Sequence, residues 1–182
     1  MKKAVYKPVI VLLFALFIGN SCSKDNIAPI DKLPQATQTG ENTAGCLVNG
    51  KAFLPKGSAL SGPVLSAFYQ FVDGSYHLGF GFKNNEQDHL RDIYIYVNEQ
   101  LSENSVYILK TSESTNSYGE YAIGGGLVDL FETSDEITGE LTITKLDPAH
   151  SIISGTFWFD AVNEAGEVVE IREGRFDMQY VN

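Results

Sequence analysis

The sequence predicts an all-β fold: a single antiparallel β-sandwich or partly closed β-barrel of about nine strands. Three observations carry that expectation. Apolar and polar residues alternate with a period of two in run after run, as where Tyr76, Leu78, Phe80 and Phe82 alternate with His77, Gly79, Gly81 and Lys83. Turn-forming pairs such as Asn49-Gly50 and Asp73-Gly74 stand between these runs. No stretch of the domain spaces its apolar residues at the 3.6-residue period of an amphipathic helix.

In chain order, the first hairpin pairs 45–49 with 51–55 around Asn49-Gly50. The second pairs 64–72 with 75–83 around Asp73-Gly74, where Asp and Gly tolerate positive φ. Residues 91–97 form a strand because Ile93, Ile95 and Val97 alternate with Tyr94 and Tyr96. Residues 105–110 follow, then 119–131, broken at Gly124-Gly125-Gly126. Leu141 and Ile143 define 139–146, and Asp147-Pro148-Ala149-His150 turns the chain into 152–162. Asn163-Glu164-Ala165-Gly166 leads to the last strand, 167–180. There Val169 and Ile171 place the apolar face on odd numbers, whereas Phe176, Met178 and Tyr180 place it on even ones. The face must switch near Glu173-Gly174, which predicts a β-bulge with Gly174 as the extra residue, or a strand that passes between sheets.

Ahead of the domain stands a leader of a different kind. Lys2, Lys3 and Lys7 precede an apolar run from Val9 to Ile18, and Gly19, Asn20 and Ser21 lead to Cys22. The run spans about 15 Å as a helix, too short for a hydrocarbon core about 30 Å thick, which fits a removable signal. Cys22 is placed to take a diacylglyceryl group on its thiol and to become the first residue of the mature chain. Leu is usual three positions before such a cysteine; Gly19 stands there, and this looser form resembles lipoprotein signals of the Bacteroidota. The organisation expected is residues 1–21 as a cleaved signal peptide, 22–44 as lipidated cysteine and polar tether, and 45–182 as the β domain. Ser23-Lys24-Asp25-Asn26 resembles short export tags of surface lipoproteins, and reads equally as a solvated spacer.

Charge narrows the partners. Cleavage removes three of the 13 lysine and arginine residues and none of the 23 acids, moving the formal net charge from −10 to −13. Such a surface opposes nucleic acid, whose phosphates need basic side chains, and opposes docking on anionic lipid. The membrane partner is therefore the lipid on Cys22, with a glycan or protein partner at the surface.

The segments Leu33-Pro-Gln-Ala-Thr-Gln-Thr-Gly-Glu-Asn-Thr-Ala-Gly-Cys-Leu-Val-Asn-Gly50, Ile153-Ser-Gly-Thr-Phe157 and Gly174-Arg-Phe-Asp177 together resemble a family of small Bacteroidota outer-membrane lipoproteins of unknown function. In that family Pro often stands where Gln35 is, and an aromatic where Ala44 is. The resemblance implies a single exported β-rich domain, supplies no catalytic residues, and implies that part of 22–44 belongs to the domain.

Candidate chemistry is sparse. With Cys22 lipidated, Cys46 is left without an intramolecular partner, and its neighbours Gly45, Leu47 and Val48 point to a buried position in the first strand. His77, His89 and His150 show no paired-ligand spacing, so no metal site is expected. His77 shares a strand face with Gly79 and Gly81, which leaves room either for a ligand or for solvent. The glycine run at 124–126 lacks the following helix that a phosphate cradle needs, and no cofactor is expected. Acids gather at 132–136 and 88–92 without calcium-loop spacing. Trp158 falls on the polar face of its strand with Thr156 and Asp160, and Tyr94 and Tyr96 lie on a non-core face. These three aromatics are the candidate ligand-binding residues, as platforms for a sugar ring; the alternative is that they pack beneath a loop or edge. The expectation is a non-enzymatic binding or surface-interaction domain. The alternatives are a carbohydrate-binding accessory or weak glycan hydrolase, and a structural subunit of a surface assembly.

Overall fold

The computed structural model describes residues 27–57, 62–85, 89–124 and 129–182. The signal peptide, Cys22, the export-tag residues and Gly125-Gly126 lie outside the described residues. Eleven strands are described: β1 (Thr43–Val48), β2 (Lys51–Phe53), β3 (Leu65–Val72), β4 (Ser75–Asn84), β5 (Arg91–Val97), β6 (Ser105–Leu109), β7 (Tyr118–Ile123), β8 (Asp129–Glu132), β9 (Gly139–Asp147), β10 (Ile152–Val162) and β11 (Val168–Gln179). The expected 119–131 strand is two strands, β7 and β8, separated at the glycine run. A 3₁₀ turn at Pro29–Lys32 precedes them. Among the described residues no helix is long and apolar enough to cross a membrane.

All the ladders between these strands are antiparallel, in the order β2-β1-β11-β10-β8-β7-β5-β4-β3, with β9 beside most of β10 and β6 on β9. The sheet curls into a half-barrel, which decides between the two expected architectures: among the described residues all strands belong to one sheet, with no second sheet to make a sandwich. Its margins are stitched together at two points. The Tyr69 N–H donates to the Val181 carbonyl at 3.0 Å, and the Val181 N–H to the Ala67 carbonyl at 3.0 Å. At the other end the Lys56 N–H donates to the Lys83 carbonyl at 3.0 Å, and the Asn85 N–H to the Lys56 carbonyl at 2.9 Å. One continuous core fills the curl, with Phe80 stacked on Phe176 at 4.1 Å between centroids and Phe157 close to both. Burying each such side chain contributes about 1.5–3 kcal/mol. Cys46 is part of this core; burial pushes its thiol far above the usual range, leaving no thiolate for chemistry.

The turns follow their sequences. Asn49 (φ 47°) with Gly50 (φ 74°), and Asp73 (φ 51°) with Gly74 (φ 88°), each join two strands through a two-residue loop with positive φ at both positions. The face switch in β11 occurs where expected, although Gly174 is not its pivot. A step of two residues in β10, from Phe157 to Phe159, and in β1, from Gly45 to Leu47, each meets a step of three in β11, and the two gaps overlap at Glu173. Glu173 is the residue in the left-handed region, at φ 55°. Gly174 is small for a different reason: a Cβ there would lie 2.5 Å from the Phe157 ring.

The segment before β1 is laid on the sheet. Leu33 is buried, and Pro34 packs over Gly45. Asp177, fully buried on β11, accepts from the hydroxyls of Thr37 (2.7 Å) and Ser154 (2.7 Å) and from the N–H groups of Thr39 (3.0 Å), Gly40 (2.8 Å) and Glu41 (3.2 Å). Burial alone would raise its pKa, but these donors outweigh it and hold the carboxyl at about 2. The three segments that carried the resemblance, around residues 33–50, 153–157 and 174–177, thus meet at one carboxylate.

Candidate functional site: an aromatic cleft at the open end of the half-barrel

The core face of the β3–β4 hairpin runs further than the core does. Ala67, Tyr69 and Phe71 on β3 pair with Phe80, Leu78 and Tyr76 on β4, so all six share one face. Ala67, Leu78 and Phe80 are buried; towards the Asp73-Gly74 turn Tyr69 and Tyr76 are half-buried, and Phe71 is 62 % exposed. The alternation that builds the core therefore delivers aromatic rings to an open end. Tyr69 stacks on Tyr76 at 5.3 Å and 22°, Phe71 tilts onto Tyr76 at 4.9 Å, and the buried Tyr180, just past the end of β11, meets Tyr69 edge-on at 5.8 Å.

These rings line a cleft of about 630 Å³, completed by Gln100 and Leu101 on one side and Leu146 and Pro148 on another. Its walls are tied down by named bonds. The Leu101 N–H donates to the Tyr69 hydroxyl at 3.0 Å, and the Ser102 N–H to the Tyr107 hydroxyl at 2.7 Å. Glu103 accepts from the Leu146 N–H at 2.9 Å and pairs with Lys145 at 3.3 Å, which joins the loop before β6 to the end of β9. The Leu146 N–H, then Lys145, hold the Glu103 carboxyl below its usual range. Burial raises the phenols of Tyr69 and Tyr180, so both are neutral hydroxyls at physiological pH. Among the described residues no charged side chain lines the cleft; its polar groups are hydroxyls and the carboxamides of Gln70, Gln100 and Asn182.

The three aromatics singled out from sequence lie elsewhere. Tyr94 and Tyr96 stand on the outer face of β5, with Tyr118 at 6.3 and 5.2 Å. They occupy the space above the β4 glycines: a Cβ at Gly79 would lie 2.3 Å from Phe68 and 2.6 Å from the Tyr94 hydroxyl. The room that Gly79 leaves beside His77 is thus filled by protein, with His77 Nδ1 2.5 Å from the Tyr96 hydroxyl, while at Gly81 a small pocket of about 220 Å³ remains between Tyr94, Asp92 and Lys83. Beside them burial raises the pKa of Asp92 and of Glu120, and Glu120 is raised further by Glu132 directly across the ladder.

Trp158 is on β10, with β8 and β7 between it and β5. It is 38 % exposed, donates its indole N–H to Glu140 at 3.3 Å, and has the Arg172 guanidinium 5.5 Å from its ring centroid. Arg172 is in turn paired with Asp160 at 2.7 Å. A shallow depression of about 410 Å³ lies here, between Trp158 and Arg175. The structure therefore brings Tyr94 and Tyr96 together but not with Trp158, and unites neither with the large cleft. Sequence reasoning missed Tyr69, Phe71, Tyr76 and Tyr180. The signal for the first three was the aromatic run Phe68–Tyr76, which keeps its core-face alternation up to the turn, and for Tyr180 the even-numbered alternation of Phe176 and Met178.

An all-β half-barrel with an aromatic open end is the class that fold and cleft define. The chain belongs to the family described as a domain of unknown function, DUF6252, whose family model matches residues 74–178. No curated protein and no solved structure matches it. The matched span begins in the Asp73-Gly74 turn, so it holds Tyr76, Gln100 and Leu146 but not Tyr69 or Phe71. The folded unit is larger than that span, because β1, β2 and β3 complete the same sheet.

Proposed function

We propose that the protein is a lipid-anchored, exported, non-enzymatic binding module, held at the outer membrane through Cys22 and presenting the aromatic cleft to its ligand. The observation that carries this reading is the inward face of the β3–β4 hairpin, left open at its end with Phe71 62 % exposed. Large apolar side chains left uncovered beside a preformed cleft favour a bound partner, and barrel mouths are recurrent ligand sites. The signal sequence supports the anchor, because a cysteine follows a short apolar run. Two measurements test the two halves. Cys22→Ser should move the protein from the membrane fraction to the soluble fraction; continued membrane association would end the lipid-anchor claim. The uncharged fluorophore 1-N-phenylnaphthylamine should brighten with the folded domain and not with Phe71→Ala, and equal signals from both would remove the cleft as a binding site.

A second reading, a subunit of a surface assembly, is favoured by β6. Among the described residues this strand ladders with β9 alone, and its Val106 and Ile108 are 53 % and 45 % exposed. Such an edge suits strand addition. A cysteine placed at Val106 should then crosslink to a partner in intact cells, and a strictly monomeric product would count against it.

A further inference from the structure

We infer that the cleft takes a neutral glycan, an inference that rests on the preceding reading of the cleft as a binding site. Three features select this class. The cleft is built of ring faces, with Tyr69 and Tyr76 nearly parallel and Phe71 projecting beside them. Pyranose rings present flat, apolar C–H faces that stack on such surfaces. The polar groups of the lining are hydroxyls and the carboxamides of Gln70, Gln100 and Asn182. Carboxamides offer both donors and acceptors, the pairing that sugar hydroxyls require.

The third feature is charge. In a chain of net charge −10, no lining side chain among the described residues is charged. An anionic ligand would meet repulsion with no lysine or arginine side chain in the lining to receive it, and a cationic one would find no side-chain carboxylate there. A fatty acid is disfavoured twice, by its carboxylate and by the openness around Phe71, since an acyl chain gains most from full enclosure. The volume of about 630 Å³ lies within the range of about 300–1,000 Å³ typical of small-ligand sites. The Trp158 depression is a poorer glycan site, because Arg172 lies against its indole ring and Glu140 takes its N–H.

Native affinity electrophoresis of the lipid-free domain with its N-terminal segment, run through gels containing galactomannan, xyloglucan, mixed-linkage β-glucan or arabinan, tests this directly. Polygalacturonate and alginate serve as the acidic arm. At least one neutral polysaccharide should retard the protein, and Phe71→Ala and Gln100→Ala should each weaken that retardation at least tenfold, with melting curves confirming that both variants are folded. Trp158→Ala should keep it. Retardation by acidic polymers alone, equal retardation of parent and Phe71→Ala, or loss in Trp158→Ala would each overturn the inference. If 1-N-phenylnaphthylamine binding depends on Phe71 while no neutral polysaccharide retards the protein, the glycan inference falls and the binding reading stands. If the fluorophore does not bind and nothing retards the protein, both fall.

Discussion

Asp177 and Tyr180 stand three residues apart at the end of β11 and have opposite surroundings. Asp177 is a charge sealed inside the protein with donors on every side, whereas Tyr180 is a buried ring whose edge floors the cleft, beyond which Phe71 is open to solvent. A buried carboxylate is tolerable only when its lone pairs are filled, so the sequence around it is constrained at Thr37, Ser154 and the backbone of 39–41. An aromatic at an open end needs no such partners. Further out along the same apolar face, Phe71 marks where residues that hold the fold give way to residues that the fold presents.

The largest effect is expected where the charge is sealed. Asp177→Ala removes the acceptor for two hydroxyls and three N–H groups and detaches the 37–41 segment. It should cost about 3–5 kcal/mol in urea unfolding, the scale for breaking a buried polar network around a charge. A loss below 1 kcal/mol would show that the segment is held by Leu33 and Pro34 rather than by the carboxylate.

Acid should reveal the same network at a smaller scale. Asp177 has its folded pKa depressed to about 2 from an ordinary 3.8, so its contribution is fully present above pH 4–5. As pH falls through about 4 towards 2 the unfolded state takes up a proton before the native one, and about 2 kcal/mol is lost. Asp92 and Glu120 act in the opposite sense, since their raised pKa values mean that protonation relieves the folded state. The stability difference between the parent and Asp177→Asn isolates the Asp177 effect: it should shrink between pH 5 and pH 2, and a constant difference would sink the assignment.

The strands were legible in the sequence because period-2 alternation and two-residue turns are local signals, as at Asp73-Gly74. Closure of the sheet was not, because it rests on two long-range stitches, Val181 to β3 and Lys56 to β4, that leave no periodic trace. The bulge in β11 was visible as a change of parity, but its pivot went to Glu173, since Gly174 is needed small against Phe157. Trp158, Tyr94 and Tyr96 drew attention because they break the expected polarity of a face. The cleft residues obey the pattern, and a pattern cannot announce where the core beneath it ends.

The smallest stability effect, and the sharpest separation of the two regions, is expected at Phe71. Its ring is 62 % exposed and rests on Tyr76 at 4.9 Å, so truncation removes little burial. Phe71→Ala should shift unfolding by no more than about 0.5 kcal/mol, the range of ordinary surface substitutions. The same change takes away the most accessible ring face of the cleft and should remove its ligand affinity. A residue that matters for binding and not for folding would then sit on the same sheet face as Leu78 and Phe80, which matter for folding alone. A destabilisation of 2 kcal/mol or more would place Phe71 with the core instead, and would mean that the open end of the half-barrel is structural like the Asp177 network beside it.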